Sequence, residues 1–185
     1  MYRFSFLIFW IVIGCTWQSI PDSGSIPPNR DPRNIDLNDD GINDATLYYS
    51  SGVWDGIGSS GSTSAAVVRA EGYNSTLYKR DAQLIPHTLF HAKMDTISRN
   101  ASLPQEWNNM GAHLAEIWQE ANGHWPKTWT IRSQYPVGPY YVALRVQKGS
   151  DYVIGWIKVD IDVNSGEVTL LDKAFTSSEF IVIDR

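Results

Sequence analysis

The alternation between Tyr140 and Phe175 limits what this chain can fold into more than any other feature of its sequence. Val142, Leu144 and Val146 alternate with Ala143, Arg145 and Gln147. After the polar break Lys148-Gly149-Ser150-Asp151, Val153, Ile157, Val159, Ile161 and Val163 alternate with Trp156, Lys158, Asp160 and Asp162. A third run, Val168 to Leu171, follows the turn Asn164-Ser165-Gly166. A period of two sends successive side chains to opposite faces. These segments therefore read as antiparallel strands of a sheet with one face buried and the other in water. A buried face needs a second layer to cover it, and the rest of the chain has to supply that layer.

Asp44 to Ser50 alternates in the same way and reads as a short strand, as do Ala65 to Ala70, Thr76 to Tyr78 and Leu84-Ile85. Ser51 to Ser64 is rich in Gly and Ser and reads as a long surface loop. One helix is expected over about 103–122. Ser102 can cap it, Pro104 suits an early position, and Gln105 stands where a capping box wants it. Trp107, Met110, Leu114, Ile117, Trp118 and Ala121 then recur at three- and four-residue steps as far as Asn122-Gly123. Trp125 to Arg132 can return to strand, and Phe180 to Ile183 is a last apolar run. The expectation is a mainly β chain: an antiparallel β-sandwich-like domain with one helix.

A length of 185 residues suits one compact domain and is short for two. The net charge of -5, with no clustered basic face, gives no electrostatic footprint for nucleic acid. The first fifteen residues differ from the rest. Arg3 is followed by an almost wholly apolar run from Phe4 to Ile13, about half of the ~20 residues a spanning helix needs, so it reads as a secretory signal. Val12-Ile13-Gly14-Cys15 resembles the lipobox of bacterial lipoproteins, although the segment ahead of it carries a single basic residue. The resemblance implies cleavage before Cys15, acylation of Cys15, and a lipid-anchored protein facing the periplasm or the cell exterior. Cys15 is the sole cysteine, so no disulfide can form within the chain. Residues 1–14 then form the signal peptide and residues 15–33 a Pro-rich tether carrying Pro21, Pro27, Pro28 and Pro32, with the folded domain occupying 34–185.

The sharpest chemical motif is Asp36-Leu37-Asn38-Asp39-Asp40-Gly41-Ile42-Asn43-Asp44. Oxygen donors at every second position, with a glycine for the tight turn, let a short loop curl around a hard cation that takes six to eight oxygens. Asp36, Asn38, Asp40 and Asp44 are the expected side-chain ligands for Ca²⁺, with the carbonyl of Ile42 between them. The stretch resembles the Asp-x-Asn-x-Asp-Gly loops of EF-hand-like, dockerin and thrombospondin-type repeats. The twelfth position is Leu47, so the bidentate glutamate of an EF-hand is missing, and the shorter loop closed by Asp44 fits better. The alternative is a solvated Asx-rich turn whose side chains satisfy local backbone donors without an ion.

Other patterns point to less. Gly56-Ile57-Gly58-Ser59-Ser60-Gly61 matches a dinucleotide fingerprint by letter but lacks the strand-to-helix context it needs, and reads as a loop. His87 and His91 stand four apart without the glutamate of a zinc-protease motif, and read as surface or packed residues. No serine sits in a nucleophile elbow. Among the tryptophans, Trp107 and Trp118 lie on the expected helical stripe, while Trp54, Trp129 and Trp156 are the candidates for stacking on a ligand. Gly155, set among β-branched residues, serves a bulge or a close approach.

The acidic loop leading into a strand, with Tyr141 to Val146 and Tyr152 to Val159 behind it, resembles a loosely defined set of exported bacterial β-domains of unknown function. Ala143 stands where those proteins carry a glycine, and two residues separate Tyr152 from Gly155. That resemblance implies an extracytoplasmic β-sandwich and brings no catalytic residues. The expected function is binding or structural, with a glycan or an envelope protein as partner. A glycan- or peptide-binding module and a hydrolase are the rival readings.

Overall fold

The computed structural model describes residues 31–56, 59–80, 86–119, 126, 128–131, 133–136 and 138–184. The signal and lipidation reading at residues 1–30, including Cys15, lies outside the described residues, as do the side chain of Trp54, the Leu84-Ile85 run and Trp125.

The strands, in chain order, are β1 (Arg33–Ile35), β2 (Ala45–Gly56), β3 (Ser59–Ala70), β4 (Ser75–Arg80), β5 (Pro86–Thr88), β6 (Phe90–His91) and β7 (Thr96–Ser98). They continue with β8 (Gln105–Asn108), β9 (Ala112–Trp118), β10 (Thr130–Ile131), β11 (Tyr140–Lys148), β12 (Asp151–Ile161), β13 (Val168–Thr176) and β14 (Phe180–Val182). One antiparallel sheet runs β1-β2-β3-β9-β10. A larger one runs β13-β12-β11-β4-β5, with β6 added to β11 and β8 to β4, and β14 pairs with β7 as a separate ribbon. The mainly β, sandwich-like expectation holds.

The two sheets face each other over the main core. Leu47, Ala66, Val68, Leu114 and Ile117 from the first sheet meet Val142, Leu144, Val146, Ile157 and Val159 from the second. The alternation in β11 and β12 has the expected phase, but the expected water-facing side is not in water. Tyr141, Ala143, Ile154 and Trp156 form a second core with Leu77, Ile97 and Ile183 under the β7–β14 ribbon. The central strands are therefore buried on both faces, which is why Tyr140 to Leu144 are buried without a break.

Two further expectations are corrected. Residues 103–122 hold no helix among the described residues; β8 and β9 lie there instead. The spacing is helical in the letters, but β9 joins the five-stranded sheet by pairing with β3 along Val68↔Ala112 to Thr63↔Trp118, and β8 pairs with β4. Gly111 between them lies against Val67, where a Cβ would come within 2.5 Å of its Cγ1, so the backbone is pressed to the sheet. Tertiary pairing overrides propensity here, and it leaves Met110 and Trp118 exposed where a helical stripe would bury them. The Gly/Ser stretch 51–64 is mostly strand, since β2 and β3 pair as far as Gly56↔Ser59. The same hairpin disposes of the dinucleotide reading, which needs a strand feeding a helix.

Candidate functional site

The acidic loop joins β1 to β2, whose register closes at Ile35↔Ala45. Its ends are locked by the Asp44 amide donating to the Ile35 carbonyl at 2.9 Å and by the Ile35 amide donating to Asn43 Oδ1 at 3.0 Å. Between them the side chains of the expected ligands cap the loop's own amides. Asp36 accepts from Asp40 (3.2 Å) and Gly41 (2.7 Å), Asn38 accepts from Asp40 (3.0 Å), and Asp40 accepts from Ile42 (2.9 Å). Asp39 and Gly41 take left-handed backbone conformations, with φ of 59° and 83°, which Asp tolerates and Gly prefers.

Two residues tie this polar loop to the core. Leu37 points inward and is fully buried among the main-core residues. Asp44 is buried too; its Oδ2 accepts from the Leu37 amide at 2.8 Å, and Asn74 Nδ2 donates to its carbonyl at 3.0 Å. Lys173 of β13 reaches across to the Asp36 carbonyl and to Asp39 Oδ1, the latter at 2.6 Å.

The electrostatics follow from that placement. Burial raises the Asp44 pKa above 3.8, and the nearby charges of Asp40 and Asp36 raise it further, against the Leu37 hydrogen bond. Desolvation acts upward on Asp36 as well, but amides from Gly41, Asp40 and Asp39, together with Lys173, hold that carboxyl below its ordinary value. Asp44 thus feels the charges of Asp40 and Asp36, while Lys173 sits on Asp39 and the Asp36 carbonyl. Among the described residues no three His, Cys, Asp or Glu side chains stand close enough to cage an ion as placed. Each of Asp36, Asp40 and Asp44 spends a lone pair on a loop amide and keeps others free.

The stacking candidates fare differently. Trp156 is 0% exposed and Trp129 is 3% exposed. Trp156 packs edge-on against Tyr141 with ring centroids 5.3 Å apart, and Trp129 lies over Gly166 and edge-on to Tyr49. Both are core residues, and neither presents a face to a ligand. The reason is the second buried face of the large sheet for Trp156, and the left-handed Gly166, which has no Cβ to hold the Trp129 ring away. Gly155 does mark a close approach. A Cβ there would collide with the Ala174 carbonyl and come within 3.0 Å of Leu37 Cδ2 and of Phe175 Cα.

The histidines separate as well. His87 lies in β5 opposite Lys79, whereas His91 in β6 is 4% exposed opposite Tyr141. The sequence carried a signal for neither the burial of His91 nor its neighbours, because Asp95 and Tyr135 are placed beside it by separate turns. Asn74, the first residue of a glycosylation sequon, is buried with both ends of its amide engaged. No helix among the described residues is long and apolar enough to cross a membrane. No protein-family model, curated protein or solved structure matches this chain.

Proposed function

We propose that this is an extracytoplasmic, lipid-anchored β-sandwich protein with a binding or structural role, whose 36–44 loop takes up a structural Ca²⁺. The observation that supports the ion most directly is the crowding of Asp36 and Asp40 onto Asp44, whose carboxyl is held above its ordinary value by burial first and by those two charges in addition. A divalent cation relieves that repulsion. Asp36, Asn38, Asp40, the Ile42 carbonyl and Asp44 would supply the hard oxygens it takes. The ion's role in this reading is structural, since Leu37 and Asp44 connect the loop to the main core. Acylated Cys15 is the membrane attachment in this reading, and an envelope protein or glycan the partner.

The experiment is thermal unfolding of residues 16–185 with millimolar Ca²⁺ and in chelator. Occupancy at ~100 Kd adds ~2.7 kcal/mol to the folded state, so the midpoint rises, and Asp40→Ala abolishes the rise. Equal midpoints in Ca²⁺ and chelator would reduce the loop to a self-capped turn. Metabolic labelling of the full chain with a palmitate analogue, lost in Cys15→Ser, tests the anchor separately.

A further inference from the structure

We propose that a cavity of about 300 Å³ beside β6, flanked by Lys93 and Lys158 with His91 in its wall, binds a phosphoryl group that still carries a proton. The cavity belongs to the face of the large sheet that carries the β7–β14 ribbon. There the register sets His91, Tyr141 and Lys158 in one cross-strand row over β6, β11 and β12. It lies apart from the acidic loop, and nothing in the reading of that loop uses it.

His91 is the unusual member. Its side chain is 5% exposed, yet Nε2 is buried without a hydrogen-bond partner. Its other nitrogen, Nδ1, lies 3.6 Å from Asp95 Oδ2. Asp95 is fixed in turn, accepting from the Ala92 amide at 2.9 Å and from the Tyr135 hydroxyl at 3.1 Å. A carboxylate facing Nδ1 keeps the imidazole proton there and leaves a bare lone pair on Nε2. Burial holds the His91 pKa below its ordinary value despite the Asp95 charge, so the ring is neutral near pH 7. A buried acceptor of this kind is costly until something donates to it.

The surroundings say what the donor carries. Lys93 is exposed, and Lys158 Nζ sits 5.6 Å from the centroid of the Tyr141 ring. Neither lysine forms an ion pair with a carboxylate among the described residues. Two ammonium groups without a carboxylate partner ask for negative charge, and Nε2 asks for an O–H. The monoanion of a phosphate or phosphate monoester offers both on one group, since the second ionisation of an ester falls near pH 6 and that of the free ion higher. Sulfate and carboxylates offer charge without the proton. The other charged groups nearby, Asp95 and Asp160 (two residues beyond Lys158 on β12, and close enough to raise the Tyr140 pKa), are negative and disfavour the dianion.

The test is calorimetric titration of the protein with inorganic phosphate, glycerol phosphate and sulfate at about pH 6.5. The expected result is saturable phosphate binding about tenfold tighter than sulfate, the worth of one well-placed hydrogen bond. His91→Phe brings phosphate down to the sulfate level, and Lys158→Met weakens both. Tighter binding of glycerol phosphate than of phosphate identifies an ester as the source, and the reverse identifies the free ion. If His91→Phe fails to fold, nitrogen NMR of the wild-type imidazole serves instead, with Nδ1 protonated and Nε2 bare as the expected state. No saturable phosphate binding, equal affinity for sulfate, a preference that survives His91→Phe, or an Nε2-protonated ring would each overturn the proposal.

Discussion

Leu37 and Gly155 meet across the main core: a Cβ on Gly155 would stand 3.0 Å from Leu37 Cδ2. One residue comes from the start of an acidic loop, the other from the centre of the longest strand of the large sheet. Their contact puts the loop's conformation and the packing of β12 against β13 into one structural unit, because the same missing Cβ admits the Ala174 carbonyl on the other side.

Gly155→Ala therefore overpacks a place with no slack. The obstacle is backbone rather than a flexible side-chain end, so the loss should reach the upper part of the ~1–3 kcal/mol range for overpacked cores. Urea unfolding measures it. A loss below ~0.5 kcal/mol would show that β13 can move away freely.

Asn74 links the two sheets through one amide. Its Nδ2 donates to the Asp44 carbonyl at 3.0 Å, and its Oδ1 accepts from the Gln147 amide of β11 at 2.8 Å. Asn74→Ala leaves both backbone groups to find new partners in a buried place, which costs ~1–3 kcal/mol for each group left unsatisfied. Hydrogen exchange at the Gln147 amide should accelerate in the variant; unchanged exchange would mean water replaces the side chain.

Asp44 sets a pH dependence with a definite sign. Its carboxyl, raised by burial and then by Asp40 and Asp36, binds its proton more tightly in the fold than in the unfolded chain. Its contribution is most favourable below its unfolded value near 3.8 and is lost as pH rises through the raised folded value. In chelator, wild-type stability measured against Asp44→Asn should fall across that window. Ca²⁺ should oppose the fall by favouring the ionised carboxylate, and a flat difference with and without the ion would remove Asp44 from the site.

Tyr78 should be among the last tyrosines to ionise. Burial pushes its pKa up to about 12, and its hydroxyl donates to the Met110 carbonyl at 2.5 Å. The neutral phenol is favoured by the fold, so its contribution is complete below the ordinary value of 10 and is lost as pH rises through about 12. Absorbance titration of Tyr78→Phe should lack the most alkaline step. An unchanged titration curve would place the hydroxyl in water.

The sequence by itself determined the parts that local rules govern. A period of two is a property of the chain, so β11 and β12 were legible with their phase. So was the Asp36–Asp44 loop, because its caps are made between residues two to five apart. What only the tertiary structure decided was which neighbour each face meets. The apolar steps from Trp107 to Trp118 suit a helix until β3 and β4 offer their open edges, and long-range pairing then outweighs a propensity difference of ~1 kcal/mol or less per residue. Trp156 looked free to stack because alternation says that two faces differ, not that a ribbon of β7 and β14 closes over the second. The His91 cavity was invisible for the same reason: His91 and Lys93, Tyr135, and Lys158 come from three separate segments, and only the folded chain brings them together.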